Sequence, residues 1–173
     1  MSDRILVAYS TKYGSTAEVA DAVAANLRAD GLPVDLKLMK DVSSLADYRA
    51  VFLGTALYMG HIHADARRFL AAHQHSLEKL PVALFVLGPV HNDASEWPAA
   101  RAQLAREIAK FPWFAPINVE VFGGKFDPDK LKFPFTLLPV LSKMPASDAR
   151  DWDAIRRWTE RVARVSLETL HFA

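Results

Sequence analysis

Two hydrophobic periods alternate along the chain. Arg4–Tyr9 carries the unbroken apolar run Ile5-Leu6-Val7-Ala8, the pattern of a strand buried on both faces. Ala20, Val23, Ala24 and Leu27 then recur at helical spacing, and Asp30-Gly31 ahead of Pro33 ends that helix. Val34–Leu38 alternates apolar and polar, as a half-buried strand does. A short helical turn is expected near Val42–Ala46, followed by a fully apolar strand at Ala50–Gly54. The spacing predicts a helix around Asp65–Ser76 that Pro81 stops, then an apolar strand at Val82–Leu87 ending at Gly88-Pro89. Ala100, Leu104, Ile108 and Phe111 place a helix over Trp97–Lys110. Asn118–Phe122 alternates again and ends at Gly123-Gly124. A last helix from about Ala149 to Leu170 has Ile155, Trp158, Val162 and Val165 on one face, with Arg156, Arg157, Arg161 and Arg164 mostly off it. Ser147 or Asp148 is its expected cap.

Five strands alternating with helices imply a parallel sheet covered on both faces, a three-layer α/β/α arrangement. The three continuous apolar strands belong in the centre and the two alternating ones at the edges, which fits the strand order 2-1-3-4-5. In such a sheet the ligand lies at the crevice between the first and third strands of the chain, neighbours in space where the order reverses. The expected organisation is a single domain, residues 1–173, with an insertion at about 125–146 between the last strand and the last helix.

Composition narrows the chemistry. A net charge of +1 and the absence of like-charge runs argue against a nucleic-acid partner. The N-terminus enters a strand and not a signal-peptide core, and no apolar stretch reaches the roughly 18 to 20 residues that span a bilayer. A cytoplasmic location is therefore expected. The chain has no cysteine, which excludes disulfides, thiolate nucleophiles and iron–sulfur ligation. Any electrons it moves must be carried by a bound cofactor.

The stretch YSTKYGST, Tyr9 to Thr16, leads from the first strand into the first helix. Ser10, Thr11, Ser15 and Thr16 supply short hydroxyls, Gly14 permits close backbone approach, and the helix N-terminus favours an anion. A phosphate fits here without a lysine clamp. The pattern lacks the G-x-x-x-x-G-K-[ST] of a P-loop and the G-x-G-x-x-G of a dinucleotide site. The third strand ends in Gly54-Thr55 where a phospho-acceptor would carry an aspartate.

These residues resemble the phosphate loop of the flavodoxin family. The second block, GTALYMGHIH from Gly54 to His63, is similar to the block after the third strand in the flavodoxin-like, menaquinone-dependent protoporphyrinogen IX dehydrogenases. The resemblance implies a flavodoxin-like fold and FMN as cofactor. It implies that Ser10, Thr11, Lys12, Tyr13, Gly14, Ser15 and Thr16 hold the phosphate, and that Thr55, Ala56, Leu57, Tyr58, Met59, Gly60 and His61 form a loop beside the isoalloxazine. It also implies a large apolar electron donor and a quinone acceptor, hence a place in porphyrin biosynthesis.

Gly88, Pro89, Val90, His91 and Asn92 end the fourth strand and are expected to close over the other side of the flavin. Tyr58, His91 and Trp97 are candidate stacking partners, with packing an equal alternative for Trp97. His61-x-His63 and His73-x-His75 are read as exposed or ring-contacting histidines and not as a metal site, since alternating histidines project together only on a strand and the second pair falls on a predicted helix. No catalytic side chain is expected, because the flavin carries the chemistry. The insertion holds three phenylalanines, four lysines and the apolar run Leu137-Leu138-Pro139-Val140-Leu141. It reads either as a lid packed on its own domain or as a platform for a hydrophobic substrate, a partner chain or a membrane surface. An FMN-dependent oxidoreductase is the leading reading. The alternatives are an electron carrier docking to a redox protein and a flavin-free interaction module.

Overall fold

The computed structural model describes residues 3–169. Its main sheet contains β1 (Arg4–Tyr9), β2 (Val34–Leu38), β3 (Tyr48–Tyr58), the short β4 (His61–Ile62), β5 (Val82–Leu87) and β6 (Asn118–Phe122). The parallel strands run in the order β2-β1-β3-β5-β6, with β4 folded antiparallel onto the end of β3. Leaving out β4, this is the 2-1-3-4-5 order read from the sequence. Helices α1 (Ser15–Ala29) and α6 (Trp152–Thr169) cover one face of the sheet; α2 (Ala64–Ala72), α3 (Gln74–Leu77) and α4 (Glu96–Ile108) cover the other.

Strand alternation decides which core each residue joins. Ile5 and Val7 face α1 and α6 together with Phe52 and Phe85, while Leu6, Val51, Leu53 and Leu84 face α2 and α4. Trp158 of α6 anchors the first core. The rings of Phe52, Phe85 and Phe122 meet it edge-on at 5.9, 5.8 and 5.5 Å, and its indole N–H donates to Asn118 Oδ1 at 2.7 Å. Gly54 belongs to this packing: a Cβ there would stand 2.2 Å from the tip of the Phe85 ring.

Between β6 and α6 the chain leaves the sheet. β7 (Lys125–Phe126) pairs antiparallel with β8 (Ser147–Asp148), with Phe126 opposite Ser147. The residues between them form single 3-10 turns at Pro128–Lys130 and Phe135–Leu137 and the one-turn helix α5 (Pro139–Ser142). Arg150, whose side chain is buried, fastens the exit of this segment by binding Asp148 Oδ2 at 2.7 Å and Glu18 Oε2 of α1 at 2.5 Å.

Several expected boundaries move. β3 runs four residues beyond Gly54, because Thr55 and Ala56 pair with Val86 and Leu87 of β5 and Leu57 and Tyr58 pair with β4. The turn expected at Val42–Ala46 sits at Met39–Asp41, where Met39 is buried in the core. Asp65–Ser76 is two helices, broken at His73. Ser147 and Asp148 belong to β8, and Asp151 caps α6 instead, its Oδ1 accepting from the Ala154 N–H at 2.9 Å. Along α6, Val165 is 45% exposed, while Thr159 and Ser166 are buried with their hydroxyls donating to carbonyls one turn back. Leu170 lies outside the described residues.

Candidate functional site

The crevice opens where β1 and β3 diverge at their C-terminal ends. Ser10 Oγ and Thr55 Oγ1 share a buried hydrogen bond of 2.9 Å that ties the two strand ends together. Thr11 Oγ1 accepts from the Gly14 N–H at 2.9 Å and curls the loop. Gly14 occupies the N-cap of α1 with φ 94°, in the left-handed region, and provides no side-chain cap. Thr16 is fully buried, and its Oγ1 lies beside the Tyr58 hydroxyl without making a hydrogen bond of ordinary geometry. A buried hydroxyl without a partner costs free energy unless a ligand supplies one. An uncapped helix N-terminus next to an orphaned hydroxyl fits a phosphate.

Tyr58 joins this loop to the second block. Its hydroxyl accepts the Lys12 N–H at 3.1 Å, and its ring meets Tyr13 edge-on at 6.1 Å. Burial raises the Tyr58 pKa above the ordinary phenol value, outweighing the Lys12 N–H and the Thr16 hydroxyl, so the group stays neutral. Beyond Tyr58 the expected loop is a hairpin: Met59 (φ 50°) and Gly60 (φ 83°) are its two turn residues, and His61 pairs back to Tyr58. Two left-handed residues in succession make the type I′ turn that suits strand twist. Met59 at φ 50° is uncommon for a residue with a side chain, and that side chain is 83% exposed.

Glu107 holds this hairpin. Its buried carboxylate contacts His61 Nδ1 at 2.9 Å, accepts the Ile62 N–H at 3.3 Å and pairs with Lys110. Burial alone would raise its pKa. The bonds from Lys110, His61 and Ile62 outweigh that and hold it below the usual value. The sequence reading missed Glu107, although a carboxylate one turn after Leu104 on the buried face of α4 was a usable signal.

Across from the hairpin stand Gly88, Pro89 and Val90, braced to the sheet by Gly88 N–H to Phe122 O at 2.9 Å and Gly124 N–H to Pro89 O at 2.6 Å. The open cleft between them measures about 410 Å³ and has Leu57, Met59 and Gly60 on one side and Gly88, Pro89 and Val90 on the other. His91 and Asn92 do not line it. His91 turns to Glu96 (Nδ1–Oε1 3.2 Å), and Asn92 lines a separate polar cleft with Trp97 and Arg157. Trp97 packs half-buried against the core with the Arg101 guanidinium 5.7 Å over its ring. His63 caps α2 by accepting the Asp65 N–H, His73 contacts the Val42 carbonyl, and His75 pairs with Lys79.

Residues 125–146 add a further wall. Together with Lys12, Tyr13, Leu57, Tyr58 and Met59, the side chains of Leu131, Phe135, Leu138, Val140 and Leu141 line an open apolar cleft of about 510 Å³, within the usual size of small-molecule sites. A smaller gap, with Ser15, Tyr13 and Glu18 facing Lys125 and Phe126, lies beside the start of α1.

A parallel sheet of order 2-1-3-5-6 with an anion-ready loop at its switch point defines a mononucleotide-binding α/β protein. The chain belongs to the flavodoxin domain family, whose model matches residues 6–136, and FMN is the cofactor that this membership implies. It is 28% identical over 179 residues to a protoporphyrinogen IX dehydrogenase [quinone] of Leishmania major, covering 96% of this chain and 77% of that protein. To the protein of the same name in Escherichia coli K12 it is 20% identical, covering 94% and 96%. Among solved structures it is similar to a flavodoxin from the domain Archaea, with TM-score 0.58 and 12% identity over 94% of this chain and 98% of that one. Among the described residues, no helix is long and apolar enough to cross a membrane.

Proposed function

We propose that this chain is an FMN-dependent enzyme that oxidises a large apolar donor of the porphyrinogen type and delivers the electrons to a quinone. The observation that carries this reading is the open, mainly apolar cleft of about 510 Å³ that residues 131–141 form with the phosphate-loop and hairpin residues. An electron carrier needs an exposed flavin edge and no apolar cleft of this size beside it. The two relatives named as quinone-linked protoporphyrinogen dehydrogenases support the same choice.

The chain's residues divide the work. Ser10, Thr11, Ser15 and Thr16 would hold the phosphate at the α1 N-terminus, with the Thr16 hydroxyl gaining its missing partner. Leu57 to Gly60 and Gly88 to Val90 would flank the ring in the open cleft and exclude water from it. When bound, FMN supplies the redox chemistry, and no side-chain nucleophile is needed. The segment 125–146 is read as an insertion into a single domain that positions the donor. Its outer side, with Phe133 78% and Leu137 68% exposed near Lys130, Lys132 and Lys143, would rest on the anionic surface of a bilayer whose interior dissolves quinones.

The test is anaerobic turnover of protoporphyrinogen IX by the FMN-loaded protein with a soluble menaquinone analogue. Porphyrin fluorescence rising together with quinone reduction is the expected result. Flavin reduction by a redox protein, with no porphyrin formed, would identify a carrier instead.

A further inference from the structure

The apolar cleft that residues 131–141 help to form has one charged group among the described residues. Lys12 projects from the phosphate loop with its ammonium 4.4 Å from the centre of the Phe135 ring, 5.3 Å from Tyr13 and 6.0 Å from Tyr58. Among the described residues, no acidic side chain lines the cleft. The backbone of Lys12 is fixed by Tyr58, so the side chain leaves a defined point on the rim. Three ring faces stabilise a cation there and leave its N–H donors without a carboxylate to bind. An ammonium at the edge of an apolar site matches a ligand with an apolar body and a carboxylate arm.

We propose that Lys12 is the carboxylate anchor of the donor site, so that the ligand is a large apolar acid held by its body against Leu57, Phe135 and Leu138 and by one carboxylate on the Lys12 ammonium. This rests on the donor reading above and adds to it a recognition residue and an orientation: the acidic arm points to the phosphate-loop side. The same residue separates two roles that the loop sequence alone confounds. Ser10, Thr11 and Thr16 turn to the helix N-terminus and sheet end, while the Lys12 side chain turns away from them into the aromatic group.

The experiment uses the FMN-loaded protein and two redox-inert probes, protoporphyrin IX and its dimethyl ester, with binding followed by fluorescence. Lys12→Met should weaken the dicarboxylate by about tenfold, the loss of one charge-assisted bond, and leave the diester within about twofold. Lys12→Arg should restore most of the loss. Equal weakening of acid and ester would make Lys12 only a latch on Phe135 and overturn the proposal, as would no change for either. Weakened FMN affinity with riboflavin affinity kept would assign the ammonium to the phosphate and overturn it too. Failure of the oxidation reading is separable: a dicarboxylate that binds through Lys12 but whose reduced form is not turned over leaves the site standing and removes the reaction.

Discussion

Phe52 and Phe85 in the sheet, and Phe133 and Phe135 in the segment 125–146, are the same residue type in opposite circumstances. The first two are fully buried around Trp158; Phe133 is 78% exposed, and Phe135 is half-buried on the rim of a cavity. Burying a phenylalanine stabilises by about 1.5 to 3 kcal/mol. The sheet side collects that gain within the fold, whereas the segment leaves it available to something outside. One region specifies the structure and positions the cofactor loops. The other, on the function proposed above, is apolar for a ligand or a surface.

If that division is right, damage to the first region should cost stability and damage to the second should not. The largest effect should come from Gly54→Ala, whose Cβ has no room beside Phe85. Overpacking of this kind costs about 3 kcal/mol where neighbours cannot move, and chemical denaturation should show that loss with the flavin present or absent.

Next is Glu107→Ala, which leaves the Ile62 N–H, His61 and Lys110 without their acceptor. The expected loss is about 2 kcal/mol. Because the folded pKa of Glu107 lies below its unfolded value, its contribution is present above the unfolded pKa and is lost as pH falls through the folded one. The variant should therefore show a shallower acid limb in its stability profile than the parent. Identical limbs would show that the carboxylate is not held by these partners.

Thr16→Ala should separate binding from folding. Removing an orphaned buried hydroxyl should leave the flavin-free protein as stable or slightly more so, while FMN affinity falls about tenfold. Riboflavin, which lacks the phosphate, should lose little. The smallest effect belongs to Phe133→Ser, expected to change stability by no more than about 0.5 kcal/mol because the ring is in solvent. Sedimentation with anionic vesicles should nevertheless weaken.

The sheet was legible because its strands announce themselves locally. Arg4–Tyr9, Val34–Leu38, Val82–Leu87 and Asn118–Phe122 are bounded in the structure where their hydrophobic patterns begin and end. β3 was read too short since its extension past Gly54 depends on pairing with Val86, Leu87 and β4, which no local pattern encodes. Ser147 and Asp148 looked like a helix cap until Lys125 and Phe126 recruited them into a strand pair. In the site, the β1–α1 loop and the left-handed Gly14 and Gly60 could be read from residue type, because glycine has a local meaning; the Met59-Gly60 hairpin turn, expected as a loop, could not. Glu107 could not be connected to the hairpin that way, for its partners His61 and Ile62 lie 46 and 45 residues away. His91 and Asn92 follow Gly88 closely in sequence, yet His91 is held by Glu96 and Asn92 lines a separate cleft, contacts that no local pattern encodes.

The antiparallel pair of Phe126 with Ser147 closes the base of the segment, so Asp127–Ala146 can be replaced by a short Gly/Ser turn joining β7 to β8. The most direct test compares this shortened protein with the parent for FMN content and for quinone-linked oxidation of protoporphyrinogen IX. The account predicts unchanged flavin occupancy and melting behaviour with turnover abolished. Turnover at the parent rate, or loss of the flavin along with the segment, would contradict it.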